Sequence, residues 1–140
     1  MTTELLINID VDDLERGVAF YTEALDLRRE RTLFDGTVVE MRGASSAIYL
    51  LLKPAGTPAA GGIRQRRRYR RHWTPVHLDF VVADLDATVA RAQQEGARVE
   101  GDLGSYPWGR IARLSDPFGH GFCLLEFRGR GYAELPTLDG

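Results

Sequence analysis

The feature that most constrains the fold is an internal repeat, which begins at Ile7 and again at Leu78. The two segments read INIDVDDLERGVAFYTEAL and LDFVVADLDATVARAQQEG, and they start about half a chain length apart. Each begins with alternating apolar and polar residues, passes an acidic turn, and continues with apolar residues at helical spacing. The repeat therefore predicts two similar halves, each with a strand followed by an amphipathic helix, and a cleft between or within them.

Each half continues with three further predicted strands. In the first half, Asp13 is the N-cap candidate, and strands are predicted over 28–34, 37–41 and 47–52 after an opening strand over 5–11. In the second half, Asp84 is the cap candidate and Gly96 ends the helix. Its strands are predicted over 76–82, 97–100, 110–114 and 121–127. Both halves thus have the order strand, helix and three strands.

The opening strand of each half places polar residues on the face that its helix does not cover. Alternation predicts that Asn8 and Asp10 share this face in the first half, and that His77 and Asp79 share it in the second. A sheet with helices on one face and polar groups on the other suggests a ligand cleft. A solvent-facing sheet without a ligand is the alternative.

The halves are joined by a segment, 55–74, in which the periodicity is lost. We interpret it as a mobile connection, and it contains six arginines within eight residues: Arg64, Arg66, Arg67, Arg68, Arg70 and Arg71. A charge run of this kind is most simply a solvated segment. A lid over the cleft, an arm that contacts a dimer mate, and a nucleic-acid contact are the alternatives. A lid of arginines would favour an anionic substrate through bidentate contacts.

Composition and motifs exclude several classes of protein. No apolar run is long enough to predict a membrane span, and the N-terminus lacks the pattern of a signal peptide. Cys123 is the only cysteine, so an internal disulfide is excluded. Nucleotide-binding and nucleophile-elbow motifs are missing from the sequence. We expect a cytoplasmic protein with no membrane partner.

Three segments resemble the vicinal oxygen chelate superfamily, which includes glyoxalase I, bleomycin-resistance proteins and extradiol dioxygenases. They are DVDDLERGVAFYTEALDL, HLDFVVADLDATVARAQQEGA and SDPFGHGFCLLEF. The resemblance implies an α+β fold in which two βαβββ modules form a curved sheet around a cleft. It places one domain at 1–130, with modules at 3–54 and 75–129 and a tail at 131–140. It also implies a homodimer.

The resemblance implies that metal-using members hold a divalent ion with His, Gln or Glu side chains from the first and last strands of each module. The matching positions here are Leu6, His77 and Cys123, with only Tyr49 on the last strand of the first module. His77 is the one suitable ligand, so the expected triad is incomplete. Alternation puts Glu126 on the face opposite Cys123. We therefore expect no cofactor, and a divalent metal on His77 remains the alternative.

The predicted site is a cleft for a small-molecule ligand. His77 is a candidate acid or base because its ordinary pKa lies near neutrality. Asp79 would orient His77 or pair with a cationic ligand, although an internal His–Asp pair with no ligand role is equally open. Trp108 either stacks on a planar ligand or plugs the end of the sheet, and Cys123 is most simply a small core residue. The other predicted ligand contacts are Asn8, Asp10 and Tyr49.

The function predicted from these residues is small-molecule binding without a complete metal site. The first alternative is a metal-dependent enzyme centred on His77, either a glyoxalase-like lyase or isomerase or a dioxygenase. The second is a noncatalytic interaction module that uses the Arg64–Arg71 segment. Both an anionic ligand, which the arginines favour, and a cationic ligand, which the acidic residues favour, remain open.

Overall fold

A computed structural model describes residues 2–138 and has two βαβββ modules. The first module consists of β1 (Leu6–Val11), α1 (Leu14–Leu25), β2 (Arg28–Leu33), β3 (Val38–Arg42) and β4 (Ala47–Leu52). The second consists of β5 (Leu78–Val81), α2 (Leu85–Gln94), β6 (Arg98–Val99), β7 (Gly104–Tyr106), β8 (Gly109–Ser115) and β9 (Gly121–Phe127). A 3-10 turn over Gly131–Glu134 follows, within the predicted tail.

The strand order of the two sheets shows the same topology twice. The first sheet is ordered β1-β4-β3-β2 and the second β5-β9-β8-β6, and in each the first and last strands of the module run parallel. The predicted α+β fold is confirmed. The second module differs at one edge, where β6 and β7 pair with successive parts of β8. One strand was predicted at this edge.

Both helices begin at the predicted aspartates. Asp13 Oδ1 accepts a hydrogen bond from the backbone N–H of Arg16 at 3.0 Å, and Asp84 Oδ1 accepts one from Ala87 at 3.1 Å. A cap of this kind contributes about 1 kcal/mol, because it satisfies an amide that the helix leaves free. Gly96 follows α2 with a φ of +103°, as the predicted stop requires.

The helix-facing sides of both sheets contribute to one core. Phe20 of α1 makes an edge-to-face contact with Phe122 of β9, with ring centroids 6.2 Å apart. At Gly17, a Cβ would lie 3.2 Å from Val11 Cγ1 and 3.3 Å from Leu50 Cδ1, so the missing side chain lets α1 lie close to the first sheet. The modules are therefore joined by apolar packing as well as by the chain.

The segment 55–74, called the connecting segment below, is tied to both modules. Tyr69 Oη donates to the carbonyl of Lys53 at 2.5 Å, and Trp73 Nε1 donates to Glu100 Oε2 at 2.9 Å. His72 pairs with His120 as an isolated parallel bridge at the start of β9. Its composition suggested a mobile connection, whereas the structure gives it defined contacts. Within residues 2–138, no helix is both long and apolar enough to cross a membrane.

Candidate functional site

The face of the first sheet that the helices leave open carries a row of polar side chains. Strand register aligns Asn8 with Tyr49, Tyr49 with Glu40, and Glu40 with Arg31. Asn8 thus lies on the open face, as alternation predicted, and Tyr49 lies beside it. The helix-facing neighbours in the same strands, such as Ile9 and Leu50, are buried in the core.

Glu40 is the centre of this row and is satisfied by two arginines of its own module. Its side chain is only 2% exposed, and it accepts hydrogen bonds from Arg31 Nε at 2.5 Å and from Arg42 Nε at 2.7 Å. The hydrogen bond from Arg31 holds the pKa of Glu40 below its ordinary value, and Arg42 adds to the effect. The negative charge of Glu40 is therefore neutralised by arginines of the same module.

The open face of the second sheet carries a group of possible metal ligands. Register aligns Asp79 with Cys123 across the parallel β5–β9 pair. His77 Nε2 lies 3.2 Å from Asp79 Oδ1, and the ligand atoms of His77, Asp79 and Cys123 all lie within 4.8 Å of one another. Imidazole, carboxylate and thiolate are all donors that zinc accepts. These three residues form what we call the ligand cluster.

The ligand cluster tests the metal site that the resemblance implied. Burial first, and then the charge and hydrogen bond of Asp79, raise the pKa of the Cys123 thiol to about 11. Without a metal the thiol stays protonated, whereas a coordinated metal would remove its proton. The residues present therefore fit a three-ligand zinc site. They differ from the implied set, because Leu6 supplies no donor and Asp79 supplies one.

The sequence paired Asp79 with His77 as an orienting group, and a His77–Cys123 ligand pair lacked a third protein ligand, so only His77 was expected as a ligand. Parallel pairing of the first and last strands, with Asp79 opposite Cys123, would have predicted that these residues lie close together. Glu126 lies on the other face, as predicted, where its Oε1 accepts the backbone N–H of Leu85 at 3.0 Å. It is therefore not a fourth member of the cluster.

A cavity of about 560 Å³ lies between the free edges of β1 and β5. Most of its wall is apolar or aromatic, with Ile7, Phe80 and Phe122 among the lining residues. Its polar residues include three of those predicted from the sequence, Asn8, Asp10 and His77, together with His72 and His120, which were not predicted. A volume of this size is typical of small-molecule sites.

Not every predicted contact lies in this cavity. Asp79 and Cys123 adjoin it only through the ligand cluster, and Tyr49 lies in the polar row of the first module. Trp108 packs at the far end of the second sheet, stacked on Tyr106 with centroids 5.3 Å apart and in contact with Phe127 and Tyr132. Its stacking on a ligand stays a prediction.

The turn before β9 fixes His120. Asp116 is buried, and its Oδ1 accepts the backbone N–H groups of Phe118 at 2.9 Å and of His120 at 3.0 Å. Asp116 Oδ2 accepts the hydroxyl of Tyr21 from α1 at 2.7 Å. Burial, followed by the charge and hydrogen bond of Asp116, raises the pKa of Tyr21 well above its ordinary value. This turn therefore links the second module to the first helix.

A second cavity, of about 840 Å³, is walled mainly by the connecting segment, His72 included, and also reaches Asp10 and His120. Arg67 Nε donates to Asp10 Oδ2 at 2.6 Å, and Arg71 Nε pairs with Glu100. These two arginines are therefore neutralised by carboxylates of the two modules. The connecting segment covers part of the open surface between the modules.

Comparison with known families decides the classification. The glyoxalase-like domain family matches residues 6–125, which is most of the chain and includes every strand of both modules except the last two residues of β9. The chain belongs to the glyoxalase-like domain family. Its structural neighbours are members of the glyoxalase/bleomycin resistance/dioxygenase superfamily, so the resemblance stated from the motifs is confirmed.

Two relatives of this glyoxalase-like chain come from Streptomyces. The anthracycline biosynthesis protein DauV of Streptomyces sp. (strain C5) is 32% identical over 124 residues, which cover 87% of this chain and 40% of the relative. The anthracycline biosynthesis protein DnrV of Streptomyces peucetius is 46% identical over 63 residues, which cover 45% of this chain and 22% of the relative. The chain thus spans well under half the length of both.

Among solved structures, the glyoxalase-like chain is similar to the crystal structure of TnmS3, an antibiotic binding protein from Streptomyces sp. CB03234. The TM-score is 0.62 at 24% identity, and the match covers 91% of this chain and 98% of TnmS3. At this identity the likeness shows the shared fold. It agrees with the two-module architecture described above.

Proposed function

We propose that this glyoxalase-like protein binds a small, largely apolar organic molecule in the cavity between β1 and β5. The observation that carries the proposal is the cavity itself, about 560 Å³ in volume, with apolar walls and a few polar groups near His77 and Asp10. Small-molecule sites combine these properties, because apolar walls supply affinity and a few polar groups fix orientation.

The ligand class that we propose is a planar aromatic molecule of the anthracycline kind. Tyr21, Phe80 and Phe122 give the cavity aromatic walls, and flat rings pack well on such surfaces. The antibiotic-binding TnmS3 shares the fold, and DauV and DnrV are anthracycline biosynthesis proteins. Support for the ligand class thus comes from the wall chemistry and from the relatives together.

A titration with an anthracycline, followed by its own fluorescence, tests this proposal. Val76 lines the cavity and is 83% exposed, so Val76→Trp should fill the space without disturbing the core. We expect at least a tenfold weaker affinity in this variant. Ile63→Trp is the matched control, because Ile63 is also exposed but does not line the cavity. Equal affinity in both variants, or no binding by the native protein, would reject the proposed site.

We further propose that two copies associate through an exposed apolar position of β5 that lies outside the cavity. Val81 is 55% exposed and does not line the cavity, so it is available to another chain. Sedimentation velocity should show a dimer for the native protein and a monomer for Val81→Glu. Leu138→Glu, at a fully exposed position remote in sequence, is the control and should stay dimeric. A native monomer at micromolar concentration would end this proposal.

The ligand cluster supports a second candidate function, a metal-dependent lyase or dioxygenase. His77, Asp79 and Cys123 would hold the ion, and the ion would act as a Lewis acid toward neighbouring oxygens of a substrate. Cobalt substitution tests this directly, because a thiolate ligand produces an intense charge-transfer band. We expect the band in the native protein and its loss in Cys123→Ala. A cobalt spectrum without that band would remove this candidate.

A further inference from the structure

Two histidines that no sequence pattern selected face each other where the connecting segment crosses the turn before β9. His72 Nε2 and His120 Nδ1 lie 3.1 Å apart, and the two rings are nearly perpendicular. Neither residue belongs to the ligand cluster of His77, Asp79 and Cys123. The pair therefore needs an explanation of its own.

The remaining nitrogen of each ring is committed to a backbone carbonyl. His72 Nδ1 lies 2.8 Å from the carbonyl oxygen of Arg70, and His120 Nε2 lies 2.7 Å from that of Asp10. A carbonyl oxygen only accepts, so each of these ring nitrogens carries the hydrogen. A neutral imidazole has only one N–H. The two facing nitrogens of the neutral rings therefore both present lone pairs.

We propose that His72 Nε2 and His120 Nδ1 together bind a divalent late first-row transition metal ion. Two lone pairs at 3.1 Å repel each other unless a proton shared by the rings or a metal ion lies between them. Zinc–nitrogen bonds of about 2.0–2.1 Å at a tetrahedral angle separate two nitrogens by about 3.3 Å, close to the observed spacing. Imidazole suits zinc, nickel and copper.

The outer contacts of the pair match those of metal-bound histidines. A ligating histidine usually donates its other N–H to a carbonyl or carboxylate, which fixes the tautomer and the ring orientation. Both His72 and His120 do so here. The backbone N–H of His120 is also held by the buried Asp116, so one ligand is placed on a rigid turn. The geometry is therefore pre-organised for an ion.

Part of the positive charge around the histidine pair is offset. Arg67 and Arg71 of the connecting segment are paired with Asp10 and Glu100. The other four arginines of the segment also line the larger cavity and lower its affinity for a cation. Both cavities described above include His72 and His120 in their walls, so the remaining coordination positions are open to water or to oxygens of a bound molecule. With two protein ligands the affinity should be lower than that of a four-ligand structural zinc site. Metal binding here requires no organic ligand, so it stands apart from the proposed function.

A bound ion would fasten three parts of the molecule together. His72 belongs to the connecting segment, His120 to the second module, and the ring of His120 is bonded to the carbonyl of Asp10 in the first. Because an ion that binds only the folded state stabilises it by mass action, zinc or nickel should raise the melting temperature. This effect depends on the two histidines and not on Cys123.

Cobalt binding distinguishes this site from the ligand cluster. We expect the 140-residue chain to bind cobalt with d–d absorption bands that persist in Cys123→Ala, because no thiolate takes part. His72→Gln and His120→Gln should each lower the amount bound by one ion per chain and abolish the melting-temperature increase caused by zinc. His72 lies on the connecting segment outside the core, so His72→Gln should fold even if His120→Gln does not.

Three results would overturn the proposal. They are the absence of metal binding by the native protein, retention of the full stoichiometry in His72→Gln, and loss of all bound cobalt in Cys123→Ala. The last result would assign the metal to His77, Asp79 and Cys123 instead. A melting-temperature increase that survives in folded His72→Gln would likewise count against the histidine pair.

Discussion

The open faces of the two sheets are built on the same framework but end in different chemical states. In the first module, Glu40 is buried beneath Arg31 and Arg42, and its charge is satisfied within the same sheet. In the second, His77 and Asp79 are exposed side chains that converge with Cys123 on an open surface. One face is a closed ion-pair network, and the other carries an exposed group of possible metal ligands that contact one another.

The difference shows that the two halves need not divide function equally. The repeated features are the opening strand, the aspartate cap and the helix, which set the backbone and the core. The positions that face outward from the sheets are not repeated, since Leu6 stands in the first half where His77 stands in the second. The first module therefore contributes mainly framework and one cavity wall, and the second carries the group of possible metal ligands.

The largest expected change in the free energy of unfolding tests whether both sheets are stabilised by one shared hydrophobic core. Phe118 is 1% exposed and packs near Gly17 of α1 and against Tyr69 of the connecting segment. We expect Phe118→Ala to lower the free energy of unfolding by about 3–5 kcal/mol, because it leaves a cavity between the modules. Urea denaturation should still show one transition.

The control for this variant is Phe34→Ala, because Phe34 is 75% exposed, and its effect should stay within about 0.5 kcal/mol. Two separate transitions, of which only the second module's is shifted by Phe118→Ala, would mean that the halves unfold independently.

A smaller loss is expected from the buried hydrogen bond between the modules. Tyr21→Phe removes the hydroxyl that donates to Asp116 Oδ2 at 2.7 Å and leaves that oxygen without its donor. We expect a cost of about 1–3 kcal/mol in thermal or urea unfolding. Tyr132→Phe, at a half-exposed position, should change stability very little. Equal stability of the Tyr21 variant and the native protein would show that this bond does not join the halves energetically.

The ion pairs of Glu40 with Arg31 and Arg42 should make the stability of the protein depend on pH in the acid range. The pKa of Glu40 is lowered by its hydrogen bonds from Arg31 and then from Arg42. The stabilisation is complete above the ordinary carboxyl pKa of about 4.3 and is lost as the pH falls through the lower pKa of the folded state. Glu40→Gln should therefore be less stable at neutral pH and should lose less stability in acid.

The exposed Glu23 provides the control for Glu40, since Glu23→Gln should leave the acid dependence of the native protein unchanged. Melting temperatures measured from neutral pH to pH 3 give both curves. Parallel curves for Glu40→Gln and the native protein would mean that the first face is not held by this carboxylate.

The smallest effect concerns the thiol of the open face. Since burial and Asp79 raise the pKa of Cys123 to about 11, its stabilising contribution is complete below the ordinary thiol pKa of about 8.5. That contribution is lost as the pH rises toward 11. Cys123→Ala should remove this alkaline decline, and iodoacetamide should modify the native thiol slowly at pH 8. Asp79→Asn should accelerate the reaction, because it lowers the thiol pKa. Rapid modification of the native protein would contradict the burial of Cys123.

Much of the framework could be read from local patterns. The bounds predicted for the strands at 47–52 and 121–127 agree with those observed, and both helix caps are confirmed. The faces of β1 and β5 were also assigned correctly, because alternation of side chains follows directly from strand geometry. β6 lies within the strand predicted over 97–100, whereas β7 was missed, since its three residues are too few to show a period.

The candidate site was predicted less completely than the fold. Asn8, Asp10 and His77 line one cavity, but their part in ligand binding stays a prediction. The pairing of Asp79 with Cys123 depends on strand register between residues far apart in the chain. His72 was missed because it lies in a segment without periodicity. His120 was not selected because its place after Asp116 is explained by hydrogen bonding within the turn, which the structure shows at its backbone N–H.

By itself, the sequence determined the repeated strand–helix framework and the capped helix starts. It also determined that the matching positions of the two halves carry different residues, Leu6 and His77. These are local properties, since a strand's period and a cap's side chain act within a few residues. Tertiary structure alone decided which side chains meet: Tyr21 with Asp116, His72 with His120, and Asp79 with Cys123. Such contacts arise from the packing of distant segments into one core, so no local pattern in the chain encodes them.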